Sequence, residues 1–139
     1  MFMGQYRHTV DTKGRVFVPM KFREGLGEHF VLTGGLDGCL FLYPDRKWEE
    51  FANQLKSLAG TKEARQLKRY FFANAAEMEV DSQGRILIPS HLRGGVGKEV
   101  VFVGVFDRVE LWDSGCWEND PSGDMDGIAE KAAAQGLVF

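Results

Sequence analysis

Cysteine is scarce: Cys39 and Cys116 are the two among 139 residues. That excludes a disulfide-dense scaffold and any CxxC metal knuckle, and it fits a reducing interior. Histidine is limited to His8, His29 and His91, and none stands at HxxxH-type ligand spacing. No apolar run approaches the ~20 residues that a membrane helix needs. The opening MFMGQYRHTV lacks a charged start followed by an apolar core, so it does not read as a signal peptide. Charge of one sign is not in large excess either, since 17 basic and 20 acidic residues leave a net −3. Nucleic acid usually selects a basic protein, so the total alone argues mildly against it.

The distribution of charge reverses that argument. Residues 107–139 hold two basic and eight acidic side chains, net −6, which leaves residues 1–106 at 15 basic and 12 acidic, net +3. Within residues 1–23, Arg7, Lys13, Arg15, Lys21 and Arg23 face a single acid, Asp11. A basic face is therefore compatible with the acidic total.

An internal repeat organises the chain. VDTKGRVFVPMKFR at 10–23 matches VDSQGRILIPSHLR at 80–93 in six of 14 positions: Val10/Val80, Asp11/Asp81, Gly14/Gly84, Arg15/Arg85, Pro19/Pro89 and Arg23/Arg93. Further on, Leu42-Tyr43 and Trp48-Glu49 correspond to Leu111-Trp112 and Trp117-Glu118. The expected organisation is a first unit over 5–50, connecting helices over 51–75, a second unit over 76–119 and an acidic tail with a short helix over 120–139. Each unit reads as a hairpin: Tyr6–Asp11 and Arg15–Val18 around Thr12-Lys13-Gly14, and Glu77–Asp81 and Arg85–Ile88 around Ser82-Gln83-Gly84. Glycine closes both loops, where a left-handed residue is wanted. The apolar runs 16–18 and 86–88 read as strands buried on both faces. Pro19 and Pro89 then open single helical turns. Phe30–Thr33 with Cys39–Tyr43, and Val100–Gly104 with Arg108–Trp112, supply a second strand pair per unit. Asp45 and Thr61 are the expected N-caps of two helices, the first with an apolar face from Trp48 through Leu58 to Ala59, the second with a stripe of Ala64, Leu67 and Phe71. A loop over Asn119–Asp124 precedes a tail helix over Met125–Gln135. One such unit cannot close a core, so the fold expected is α+β: two units paired about a pseudo-twofold axis as one small β-barrel with flanking helices.

The motif that carries chemistry is D-x-x-G-R, present twice. Asp11 and Asp81 form local ion pairs with Arg15 and Arg85 that shape the turn, or they also aim those arginines at an external anion. A planar guanidinium suits phosphate or guanine edges. Lys13 adds a charge at the first loop tip, and its counterpart Gln83 is neutral. Other candidates are weaker. His8 and His91 read as surface or packing residues, Cys39 as a core thiol and Cys116 as exposed. Gly34–Gly38 reads as a turn rather than a phosphate cradle. Glu77 and Glu79 share a strand face without making a catalytic dyad, the tryptophans read as anchors, and Lys62, Arg65, Lys68 and Arg69 as a solvated helix face or a secondary backbone contact. No nucleophile–base pair is visible, so neither an enzyme nor a cofactor is expected.

MFMGQYRHTVDTKGRVFVPMKFRE, LYPDRKWEEF, RQLKRYFFANAAEMEVDSQGRILIPSHLR and VGVFDRVELWD together resemble the MraZ family of bacterial transcriptional regulators, over roughly residues 1–118. The resemblance implies two AbrB/SpoVT-like swapped-hairpin units in one barrel. It implies a homo-oligomeric ring that binds tandem repeats in the promoter of the division and cell-wall gene cluster, generally as a repressor. Double-stranded DNA and further copies of the chain are then the partners, with no membrane, and the location is cytoplasmic and nucleoid-associated. Lys13, Arg15, Gln83 and Arg85 would contact DNA, with Asp11, Gly14, Asp81 and Gly84 orienting the loops. The alternative is a ring that binds a protein partner, antitoxin-like, with incidental affinity for DNA.

Overall fold

The computed structural model describes residues 1–119 and 123–139. Strands β1 (Gln5–Thr9) and β2 (Arg15–Phe17) lead into helix α1 (Met20–Leu26), then β3 (His29–Gly34), β4 (Leu40–Pro44) and helices α2 (Asp45–Lys56) and α3 (Lys62–Ala73). The pattern repeats with β5 (Ala76–Glu79), β6 (Arg85–Leu87), a 3₁₀ helix over Ser90–Gly95, β7 (Glu99–Gly104), β8 (Val109–Asp113) and α4 (Ser114–Asn119), followed by α5 (Met125–Ala134).

The strands pair between the copies. One antiparallel sheet runs β1-β7-β8-β4-β3-β5, and β2 pairs with β6 as a separate two-stranded ribbon. That order reads the same from either end once copies are interchanged, so a pseudo-twofold axis passes between β4 and β8. The first strand of each copy lies on the third strand of the other, β1 on β7 and β5 on β3.

Three expectations are corrected here. The sheet is not closed into a barrel: β1 and β5 are its two edges, and β2 and β6 bond to each other rather than to those edges. Each edge strand meets the ribbon through its loop alone, Asp11 N–H donating to Arg15 O and Asp81 N–H to Arg85 O, and not through a ladder. The two hairpins are likewise not ladders, because each loop is closed by two backbone bonds, Arg15 O with Asp11 N and Asp11 O with Gly14 N in the first. Finally, β2 and β6 are buried on one face. Val16 and Ile86 are 1% exposed, whereas Phe17 and Leu87 are 43% and 53% exposed. The strands that bury residues on both faces are the central ones of the large sheet, β3, β4, β7 and β8.

Period-two alternation in β4 divides the interior. Leu40 and Leu42 face a core under the ribbon with Val16, Ile86, Phe30, Phe102 and Leu111. Phe41 and Tyr43 face a second core, where Leu55 of α2 and Phe71 of α3 cover the other side of the sheet with Trp112. Trp48 and Trp117 pack against that second core, as anchors should. Thr61 caps α3 by accepting from Ala64 N–H at 3.1 Å. Asp45 instead is the first residue of α2 and makes no side-chain cap. Helix α2 ends at Lys56, so Leu58 falls outside its apolar face and is exposed, as is Leu67 on α3. Of the loop expected over Asn119–Asp124, residues 120–122 lie outside the described residues and Asn119 ends α4, while α5 covers 125–134 of the tail helix.

Candidate nucleic-acid interface

The two D-x-x-G-R loops leave opposite ends of the β2–β6 ribbon, because the strands they feed are antiparallel. In the first loop one oxygen of the Asp11 carboxylate accepts from the Lys13 and Arg15 backbone N–H groups, both at 2.9 Å. The other accepts from Arg15 Nε at 2.7 Å. The second loop repeats this with Asp81, Gln83 and Arg85, the Arg85 Nε bond being 3.0 Å. Asp and Asn are short enough to bond their own turn in this way, and the carboxylate adds a second acceptor oxygen for the arginine. These bonds favour the ionised carboxylate. The Arg15 backbone N–H foremost, aided by the Arg15 side chain, holds Asp11 down at about 2, and Asp81 is lowered by the matching bond from Arg85. The stabilisation Asp11 contributes is therefore complete above the ordinary value of 3.8 and is lost as pH falls through about 2. Among the described residues the terminal Nη groups of both arginines have no hydrogen-bond partner, so each guanidinium is steered through Nε and keeps its outer fork free.

Arg23 and Arg93 had no functional role in the sequence reading, and the structure gives them one. Gly14 has φ 84° and Gly84 φ 86°. A Cβ at Gly14 would collide with the Arg93 guanidinium, and one at Gly84 with that of Arg23. Ile88 N–H donates to Gly14 O at 2.9 Å while Ile88 O accepts from Arg93 Nε at 2.7 Å. Val18, Gly84 and Arg23 form the mirror arrangement. Each loop is thus braced by the other copy, with a second guanidinium beneath its glycine. The repeat itself carries a signal for them, since Arg23/Arg93 is one of its six identical pairs.

The surroundings of the loops differ. A cleft of about 690 Å³ beside the first loop is lined by Thr9, Asp11, Gly14, Arg93 and Lys98. The cleft on the other side has Arg23 with Glu24, Glu28 and Glu79. Positive charge is therefore concentrated at the first loop, where Lys13 also lies.

Other candidates fall away from this face. Helix α3, with Lys62, Arg65, Lys68 and Arg69, covers the opposite side of the sheet from the ribbon. His8 packs edge-on against Phe102, and burial lowers its basicity. His91 lies on the 3₁₀ helix, and His29 opens β3. Cys39 is buried, which pushes its thiol up to about 12, and Cys116 is exposed. Gly34 ends β3 and residues 35–38 form the turn to β4, with the Tyr70 hydroxyl donating to Gly35 O. Among the described residues no cluster of three or more His, Cys, Asp or Glu is placed to hold a metal ion, and no helix is long and apolar enough to cross a membrane.

The sequence profile of the family described as "MraZ protein, putative antitoxin-like" matches this chain twice, over residues 1–70 and 71–133. The chain belongs to the MraZ family. A relative from Lachnoclostridium phytofermentans, named Transcriptional regulator MraZ, is 57% identical over 141 residues and is covered in full, as is this chain. One of the same name from Acetivibrio thermocellus is 52% identical over 143 residues, covering 99% of this chain and all of the relative. A third, from Caldanaerobacter subterraneus subsp. tengcongensis, is 57% identical over 121 residues, 85% of each chain. The two profile matches meet at residues 70 and 71, within α3, so each contains one D-x-x-G-R loop of this MraZ chain.

Proposed function

We propose that this MraZ chain is a transcriptional regulator that binds duplex DNA through the ribbon end-loops. The name carried by its relatives supports the regulatory role. The observation that carries the DNA reading is the pair of arginines at opposite ends of one ribbon, each fixed through Nε with its outer nitrogens turned free. Arg15 and Arg85 contact the duplex, Lys13 adds a phosphate contact, Gln83 offers a neutral donor and acceptor, and Asp11, Gly14, Asp81 and Gly84 hold the loops in shape. Antiparallel strands ~4.8 Å apart fit within a major groove ~12 Å wide.

One chain of net charge −3 with two such loops binds DNA weakly. Assembly as a ring presents many loops at once and raises avidity without new contacts. Tandem promoter repeats spaced about 10–10.5 base pairs apart would meet successive subunits on one face of the helix. We place the target in the promoter of the division and cell-wall gene cluster, with repression as the outcome and the cytoplasm and nucleoid as the setting. The family description also contains the word antitoxin, and a ring serving a protein partner is the competing outcome.

The test is a gel shift on the promoter fragment, with mass measured in solution alongside. Arg15→Ala should weaken binding more than Arg85→Ala, because Lys13, Arg93 and Lys98 surround the first loop. Each lost phosphate contact should lower the slope of log affinity against log salt by ~0.9. Unchanged binding and slope in both variants would overturn the reading.

A further inference from the structure

The outer face of the β2–β6 ribbon is not polar. Directly opposed residues of an antiparallel pair share a face, and the register sets Arg15 against Leu87, Val16 against Ile86 and Phe17 against Arg85. Val16 and Ile86 point into the core. The other four therefore form one outward plate, with two arginines on one diagonal and Phe17 and Leu87 on the other. The Arg85 guanidinium lies 5.9 Å from the Phe17 ring centroid. A solvated ribbon face normally carries polar residues, yet both copies place a large apolar side chain here, at equivalent positions 17 and 87. An apolar centre rimmed by charge marks a contact surface. Asp11 and Asp81 offset the two rim arginines, and Lys13 with Arg93 and Arg23 beneath the loops leaves the rim net positive, so the partner is anionic. The plate lies between the two loops, so whatever the arginines grip also faces Phe17 and Leu87.

Resting on the DNA reading above, we propose that Phe17 and Leu87 are specificity residues that pack on thymine C5-methyl groups in the major groove. The thymine methyl is the apolar feature that the base edges of that groove present. The arginines hold the ribbon in the groove by phosphate or guanine contacts, and the apolar diagonal selects sites with thymine between them.

The methyl can be removed without touching the protein. The promoter fragment is amplified once with thymidine triphosphate and once with deoxyuridine triphosphate, and both duplexes are titrated with the full chain. The wild-type protein should bind the uracil duplex at least ~4-fold more weakly, the worth of one lost methyl contact. The variant carrying Phe17→Ser and Leu87→Ser should bind both duplexes equally. Its fold is checked by circular dichroism, and the altered side chains are exposed in the native state. Equal wild-type affinity for the two duplexes overturns the proposal and leaves the DNA reading standing. Discrimination that survives in the double variant also overturns it, because the uracil effect then reflects duplex shape or another side chain. A double variant whose mass in solution falls would assign the plate to contact between copies, again overturning it. Failure of the wild type to bind even the thymine duplex overturns the DNA reading itself.

Discussion

Gly14 meets two demands at one position. Its φ of 84° disfavours any side chain, and the Arg93 guanidinium occupies the space a Cβ would need. Gly38 separates the two effects, since its φ is 92° and nothing lies within 4 Å of a Cβ there. Gly38→Ala should cost about 1 kcal/mol, the ordinary penalty of a left-handed alanine. Gly14→Ala should cost about 2–3 kcal/mol, and adding Arg93→Ala should recover part of that loss. Urea denaturation midpoints measure all three, and equal costs at 14 and 38 would show that Arg93 exerts no pressure on the loop. At this scale the sequence was informative wherever a residue's role is local. The glycine at each loop end, Asp11 beside Arg15 and the buried Cys39 follow from neighbours in the chain. Arg23 and Arg93 escaped because each acts on a loop about 60–80 residues away, and the repeat recorded their identity without their contact.

Elements were legible when their signals were self-contained, and less so when pairing decided them. The two helices between the copies announce themselves by apolar spacing, yet only one expected cap forms. Thr61 precedes α3 with extended backbone and its hydroxyl reaches Ala64 N–H. Asp45 stands one residue too late, behind Pro44, and contributes only a negative charge in the first turn. Thr61→Ala should therefore cost about 1 kcal/mol, while Asp45→Ala should cost about 0.5 kcal/mol, the worth of a charge at a helix dipole. Thermal unfolding of the two variants separates them, and an Asp45 loss as large as that at Thr61 would mean the cap is misassigned. The ribbon shows the opposite case. Runs 16–18 and 86–88 look continuously apolar, and that pattern reads as a strand buried on both faces. Phe17 and Leu87 face outward instead, because a two-stranded lid has only one core beneath it. Nothing in the run itself distinguishes a lid from a central strand.

For the whole molecule, duplication made the pseudo-twofold arrangement legible, but closure into a barrel did not follow from it. Symmetry requires that copies pair, not that every edge is bonded. The pairing that does occur ties folding to function. Strand β1 bonds to β7 and β2 to β6, so neither has a ladder partner within its own copy. Each D-x-x-G-R loop also takes its brace from the other copy, through Ile88 and Arg93 for the first and Val18 and Arg23 for the second. Half a chain should therefore lack both a closed core and a shaped loop. A fragment of residues 1–60 is expected to show collapsed amide dispersion by NMR at micromolar concentration and to regain it when residues 61–139 are added. At higher concentration the fragment has one native-like alternative, exchange of its first strand with the third strand of a second fragment, and its structure should then rise with concentration. A fragment that is folded, monomeric and concentration-independent would show that the copies are separable, and the loops would need another explanation for their order.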